Sequence, residues 1–182
     1  MTGSVENVYT EALLEIAEEE GSEAAAEING ELAALSRIFS ENTELYAVLD
    51  SPIITDEEKK DLLRELFEGK ISRTSYGLLY VLTENGRCRY LEAVAAKFKE
   101  EYYSLHGIAE VTVTTVKPLS DGQKQRLTEK LKKLYGREII LTEKIDASLV
   151  GGVAVSYGDS MLDGSVRTKL DGMKKQIKNM IS

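Results

Sequence analysis

Residues 103–116, YSLHGIAEVTVTTV, contain the change of pattern that decides the fold of this chain. From Val111 to Val116 valine and threonine alternate, which is typical of a half-buried β-strand. Before Tyr103 the apolar residues recur instead at helical spacing. The sequence therefore predicts an α+β fold, with a helical domain over residues 1–105 and a small mixed α/β domain over residues 106–182.

The first domain carries signals for helix starts and stops and no strand-type run. Its interruptions lie at Gly21, Ser51-Pro52, Thr55–Glu58, Gly69 and Asn85-Gly86. Glycine and asparagine commonly end helices, and Thr55–Glu58 has the pattern of a capping box. Helices this short persist only when they pack against one another. We therefore expect a bundle of about six helices.

The second domain is predicted to have the element order β-α-β-β-β-α. After the first strand, a capping box at Ser120–Gln123 begins a helix that ends near Gly136. Glu138–Ile145 is the second strand and Val150–Tyr157 the third. The start of the third strand contains Gly151 and Gly152, which favour a bulge or a close backbone approach.

A hairpin and a helix are predicted to complete this domain. Gly158 and Asp159 form a two-residue turn into the fourth strand, at 160–162. Asp163, Gly164 and Ser165 then begin the last helix. Its apolar stripe has a spacing that suits packing on a sheet or against another helix, and its members are Val166, Leu170, Met173, Ile177 and Met180.

Composition and charge exclude several classes of function. The chain of 182 residues has a net charge of −8, and its first 105 residues hold 10 basic against 22 acidic side chains, a net −12. Nucleic acids require a basic surface, so we expect no nucleic-acid partner. No apolar run is long enough to span a membrane, and the start lacks a signal-peptide pattern. We therefore expect a cytosolic chain.

The residues that could carry chemistry are few. His106 is the only histidine and Cys88 the only cysteine, so a Ser-His-Asp arrangement and a zinc cluster both lack partners. We expect Cys88 to be a buried thiol. Gly69-Lys70 is followed by Ile71 where a phosphate-binding loop needs Ser or Thr. The sequence predicts no catalytic residues, no metal site and no cofactor.

Two helices carry more apolar surface than one packed face requires. In the first helix the apolar residues from Val5 to Ala17 cover about 240° of the helical wheel, whereas one packed face needs about 100°. Residues 76–82 in the fifth helix are apolar nearly all round. These helices either form a groove for an amphipathic helix of a partner or lie at the centre of the bundle.

The motifs resemble those of one family from end to end. Residues 9–17, YTEALLEIA, are similar to the opening of the F-type ATP synthase delta subunit family, which includes the mitochondrial oligomycin-sensitivity-conferring protein. The most specific match is DASLVGGV at 146–153, followed by GD at 158–159 and DGSVR at 163–167. Ala147 replaces a frequent proline, Thr10 replaces a frequent alanine, and Gly77 stands where the family has a larger residue.

The resemblance implies a non-catalytic subunit of the peripheral stalk, or stator. In this family the helical domain lies on the catalytic head and holds the N-terminal helix of an alpha subunit between its first and fifth helices. The second domain contacts the C-terminal helices of the b subunits, so that the head does not rotate with the rotor. The complex uses a proton or sodium gradient to make ATP, at the cytoplasmic face of the cell membrane.

Residue by residue, the resemblance gives three sets of candidates. The expected alpha-helix anchors are Tyr9, Ala12, Ile16, Leu78, Val81 and Leu82. The expected b-subunit contacts are Val166, Leu170, Met173 and Ile177. The structural motif comprises Gly151, Gly152, Gly158, Asp159, Asp163 and Gly164. The alternative function is a free-standing regulator, whose bundle binds a protein and whose second domain holds a ligand pocket.

Overall fold

A computed structural model describes residues 4–51, 53–147, 149, 152–158 and 160–163. The chain divides into two compact units, with the boundary in the sequence between Tyr102 and Tyr103. In chain order the first helices are α1 (Val5–Glu20), α2 (Ser22–Glu41), α3 (Thr43–Leu49), α4 (Asp56–Phe67), α5 (Arg73–Glu84) and α6 (Leu91–Leu105). They are followed by β1 (Ile108–Thr115), α7 (Asp121–Tyr135), β2 (Glu138–Ile145), β3 (Val153–Tyr157) and β4 (Ser160–Asp163). The predicted α+β class is confirmed.

The ends of the helices follow local hydrogen-bonding chemistry. At the start of α4 the Thr55 amide donates to Glu58 Oε2 at 3.0 Å, and the Glu58 amide donates to Thr55 Oγ1 at 3.3 Å. This reciprocal pair is the predicted capping box. The break at Asn42, between α2 and α3, was not predicted. There the Asn42 amide donates to the Ile38 carbonyl at 3.0 Å, and Asn42 Nδ2 donates to the same carbonyl at 2.7 Å.

The core of the N-terminal unit is built from the inward faces of its helices. Phe39 of α2 is fully buried and stacks on Phe67 of α4, with ring centroids 6.2 Å apart. Phe98 of α6 is also fully buried. Cys88 is buried as expected, and its burial raises the pKa of the thiol, which therefore stays protonated. The helices are held together by this shared apolar interior, as the bundle prediction required.

The C-terminal unit is organised around a four-stranded mixed sheet with the order β2-β1-β3-β4. Strands β1 and β2 are parallel, in a register that pairs Ile108 with Glu138, and α7 connects them. Strands β1 and β3 are antiparallel, as are β3 and β4. The predicted hairpin between β3 and β4 is therefore present. The predicted last helix lies outside the described residues.

One face of the sheet packs against α7. Val111 and Val113 of β1 are fully buried and form a core with Leu131 of α7, while Leu127 packs against its edge. The helix ends at Gly136, which adopts the left-handed conformation with φ 64°. The spacing of Leu127, Leu131 and Leu134 predicts a single apolar stripe, but Leu134 is 63% exposed. Only two of the three leucines on α7 therefore contribute to this core.

Glu143 is expected to make the stability of the C-terminal unit sensitive to acid. Its carboxylate accepts from the Leu119 amide at 2.5 Å and lies 3.0 Å from Lys124 Nζ. The hydrogen bond from the Leu119 amide, and after it the hydrogen bond from Lys124, lowers the pKa of Glu143 below its ordinary value. The carboxylate therefore stabilises the fold fully at a pH above the pKa of a glutamate in the unfolded chain, about 4.3. This stabilisation is lost as the pH falls through the lower pKa that Glu143 has in the folded chain.

The measurement is the thermal midpoint of wild type and Glu143→Gln from pH 7 to pH 2.5. Wild type should unfold at the higher temperature near neutral pH, and the difference should shrink below about pH 4. Glu129→Gln, at an exposed carboxylate of α7, is the matched control. A difference between wild type and Glu143→Gln that is constant with pH would contradict the assignment.

Candidate partner-binding groove

A groove runs between α1 and α5 of the N-terminal unit, with a volume of about 570 Å³. Most of the side chains along it are apolar, and polar groups gather towards one end at Glu20, Arg73 and Thr74. The lining residues are Val8, Tyr9, Ala12, Leu13, Ile16 and Glu20 from α1 and Arg73, Thr74, Gly77, Leu78 and Val81 from α5. The walls are therefore two helices, and the groove is elongated along them.

The groove exists because both helices have apolar residues left over after the core is formed. In α1, Leu13 and Ala17 turn inward and are buried. Val8 remains 59% exposed and Ile16 40% exposed, and Val81 of α5 is also 40% exposed. Contiguous exposed apolar side chains of this size mark a contact surface on a folded protein. The alternative that both helices are wholly central to the bundle does not fit these exposures.

Polar contacts hold the two walls of the groove in place. Arg87 Nη1 donates to the Tyr9 hydroxyl at 3.3 Å, and Thr74 Oγ1 donates to Glu20 at 3.2 Å. At the start of α5, Glu31 of α2 accepts from the Ser72 amide at 2.6 Å and from its hydroxyl at 2.5 Å. Charge-assisted bonds of this kind are strong and directional. The groove is thus shaped by contacts with several helices.

The structure places five of the six predicted anchors on the groove. Tyr9, Ala12 and Ile16 line it from α1, and Leu78 and Val81 line it from α5. Leu82 does not line the groove, because its side chain is fully buried in the core. The predicted anchors did not include Val8 or the polar lining residue Thr74. Val8 lies four residues before Ala12, and residues four apart share a helix face, which was the available signal.

A second apolar hollow lies elsewhere in the same unit. It has a volume of about 540 Å³ and is formed by α2, α3 and α4. Its apolar lining comprises Ile38, Leu45, Val48, Leu62, Leu66 and Phe67. Ile38 and Leu66 are partly exposed there, at 38% and 36%. The N-terminal unit therefore presents two apolar concavities in its described part, and the one between α1 and α5 contains the predicted anchors.

The remaining predicted residues lie in the C-terminal unit. Gly152 and Gly158 both have positive φ, at 91° and 53°, a conformation that glycine adopts without strain. Asp163 ends β4. Gly151, Asp159 and Gly164 lie outside the described residues, as do the candidate b-subunit contacts Val166, Leu170, Met173 and Ile177. The motif around β3 thus includes two described glycines whose positive φ favours glycine at those positions.

Titratable groups in the described part of the chain do not gather into a metal site. No three histidine, cysteine or acidic side chains among those residues are placed to hold an ion. The pKa of Tyr46 is raised to about 12, chiefly by burial and then by the neighbouring Glu92 carboxylate, so this phenol stays protonated. None of the described helices is long and apolar enough to cross a membrane.

Together these features define a class of protein: a two-unit α+β chain whose helical unit leaves an apolar groove open between two helices. A family model for the ATP synthase delta (OSCP) subunit matches residues 5–177. The chain is 34% identical over 167 residues to ATP synthase subunit delta of Clostridium kluyveri, covering 92% of this chain and 91% of the relative. The chain belongs to the ATP synthase delta (OSCP) subunit family.

Other similarities agree with this assignment. ATP synthase subunit delta of Halalkalibacterium halodurans is 34% identical over 175 residues, which cover 96% of this chain and 94% of the relative. A chain in the mitochondrial ATP synthase hexamer of Toxoplasma gondii has the same fold, with a TM-score of 0.64, 24% identity, and coverage of 96% of this chain and 98% of that one. As a family member, the chain is a structural subunit of ATP synthase and associates peripherally with that membrane-bound complex.

Proposed function

We propose that this chain is the stator connector of its ATP synthase, with residues 1–105 on the catalytic head and residues 106–182 on the stalk. The observation that carries the proposal is the apolar groove between α1 and α5, in a chain that belongs to a family of ATP synthase subunits. The occupant we propose is the N-terminal helix of an alpha subunit. The chain has no catalytic residues of its own and needs no cofactor.

The shape and chemistry of the groove favour an amphipathic helix as the occupant. A helix laid along the groove would place one apolar stripe against Tyr9, Ala12, Ile16, Leu78 and Val81. Val8, Ile16 and Val81 still have 40–59% of their surface to lose to a partner, which is worth about 1 kcal/mol for each side chain. These three side chains together give about 3 kcal/mol, which is less than the cost of association, so the docked helix must bury apolar surface of its own as well.

Charge favours a basic partner. The first 105 residues carry a net charge of −12, and Glu15 and Glu19 are exposed on α1, the helix that forms one wall of the groove. Opposite charges raise the rate of encounter, whereas buried apolar contacts slow dissociation. A connector that bears torque depends on slow dissociation. The apolar anchors therefore set the lifetime of the proposed contact, and the acidic surface sets its rate of formation.

For the stalk we propose the stripe Val166, Leu170, Met173 and Ile177 as the contact with the C-terminal helices of the b subunits. If these residues form the helix that the sequence predicts, their spacing of four, three and four would put the side chains on one face. Residues 106–182 have 13 basic against 9 acidic side chains, so this half differs in charge from the first. The two halves are thus suited to different partners.

In this role the chain keeps the head from turning with the rotor while the complex uses a proton or sodium gradient to make ATP. It lies at the cytoplasmic face of the cell membrane and reaches the membrane only through the complex. The free-standing regulator would need a ligand pocket in the C-terminal unit. The family match over residues 5–177, which includes both units, favours the stator connector instead.

The test is isothermal titration of the full chain with a synthetic N-terminal peptide of the alpha subunit from the same organism. We expect binding that depends on the peptide sequence, with a scrambled peptide as control. The soluble C-terminal segment of the b subunit, titrated separately, tests the stalk contact. A folded chain that binds the native and scrambled peptides equally would overturn the assignment of the groove.

A further inference from the structure

Gly77 lies in the interior of α5 and lines the groove. Apart from proline, glycine is the least favourable residue in a helix interior. Gly77 is not among the described glycines that have a positive φ, so its backbone conformation does not require glycine. The local structure of α5 would therefore accept a residue with a side chain at this position.

Packing within the described residues does not require glycine at position 77 either. A Cβ atom placed on Gly77 would have no heavy atom of another segment within 4 Å. The missing side chain thus leaves open space on the groove wall. Thr74 lies on the preceding turn of α5 and Val81 on the following turn, and both line the same groove. Across the groove, Ala12 of α1 contributes only a methyl group.

We infer that Gly77 is a specificity determinant, whose missing side chain forms a notch that receives one bulky apolar side chain of the docked helix. This inference rests on the proposed function of the groove. The notch favours leucine, methionine or phenylalanine over a polar residue because Leu78 and Val81 beside it are apolar. A polar side chain placed there would lose its water without gaining a hydrogen bond.

The experiment compares Gly77→Ala and Gly77→Leu with the same substitutions at Gly30. Gly30 is the matched control because it lies inside α2, outside the groove, and a Cβ there also has nothing within 4 Å. Both alanine variants should raise the thermal midpoint of the full chain by about 3 °C, because alanine favours the helix. Because both alanine variants should gain the same stability, a difference in peptide affinity between them cannot be a result of folding.

The affinity for the N-terminal alpha peptide should fall only in the Gly77 series. We expect the affinity to fall about threefold for Gly77→Ala and about 30-fold for Gly77→Leu, because the leucine side chain fills more of the notch than the alanine methyl group does. Both Gly30 variants should bind within about twofold of wild type. If wild type and Gly77→Leu bound the peptide equally, the proposed notch would be wrong, whereas the proposed binding of the peptide in the groove would not be contradicted. A wild-type chain that does not bind the peptide would overturn the proposed function itself.

Alanine substitutions in the peptide identify the side chain that enters the notch. One bulky apolar peptide residue should matter strongly for binding to wild type and little for binding to Gly77→Leu, because the leucine already occupies its place. A peptide residue whose truncation costs the same affinity in both proteins does not enter the notch. If every bulky residue behaves in that way, the inference is wrong.

Discussion

Val81→Asp is expected to weaken binding of the alpha-subunit peptide about 100-fold. Val81 lines the groove and is 40% exposed, so in the free chain an aspartate there still reaches water. A docked helix would cover the carboxylate with apolar groups and leave the charge without a partner. An unpaired polar group buried in this way costs about 3 kcal/mol, which corresponds to about 100-fold in Kd.

The free chain should tolerate this substitution. Valine and aspartate have similar helix propensities, and a negative charge near the end of α5 costs less than about 1 kcal/mol. Titration calorimetry measures the affinity, and circular dichroism checks that α5 and its neighbours remain folded. Leu134→Asp, at an exposed leucine on α7, is the control and should bind the peptide as wild type does. If folded Val81→Asp bound the peptide with the affinity of wild type, α5 would not be part of the proposed contact.

Leu82→Ala should have the opposite profile, with a large loss of stability and little loss of affinity. Leu82 follows Val81 directly, yet its side chain is fully buried in the core of the N-terminal unit. Truncating a buried leucine to alanine removes apolar contacts and leaves a cavity, which together cost about 2–5 kcal/mol. We therefore expect the thermal midpoint to fall by about 10 °C.

Peptide affinity, measured well below the unfolding transition, should stay within about threefold of wild type. Leu134→Ala provides the comparison for stability, because truncating an exposed leucine changes the free energy of unfolding by less than about 0.5 kcal/mol. If Leu82→Ala were as stable as wild type and failed to bind, Leu82 would contact the partner directly. The pair Val81 and Leu82 would thus separate a proposed binding residue from a core residue within one turn of helix.

Local chemistry made much of the fold predictable. The capping boxes at Thr55–Glu58 and Ser120–Gln123 are complete within four residues, so no distant part of the chain is needed to form them. β2 has the predicted bounds, Glu138 to Ile145, because its neighbours Gly136 and Asp146 end the regular pattern on both sides. The break at Asn42 was missed, because asparagine also occurs within helices; in the structure the end is marked by the non-helical backbone of Asn42, with φ −122° and ψ 70°.

The sequence alone determined the α+β class, the order of the described elements apart from the separation of α2 from α3, and the two helices that carry surplus apolar surface. The tertiary structure decided which side chains of those helices face outward. Residues 76–82 are apolar nearly all round, so periodicity could not tell Val81, which is 40% exposed, from Leu82, which is fully buried. Adjacent residues on a helix point about 100° apart, and only the packing of α5 against its neighbours determines which direction is covered.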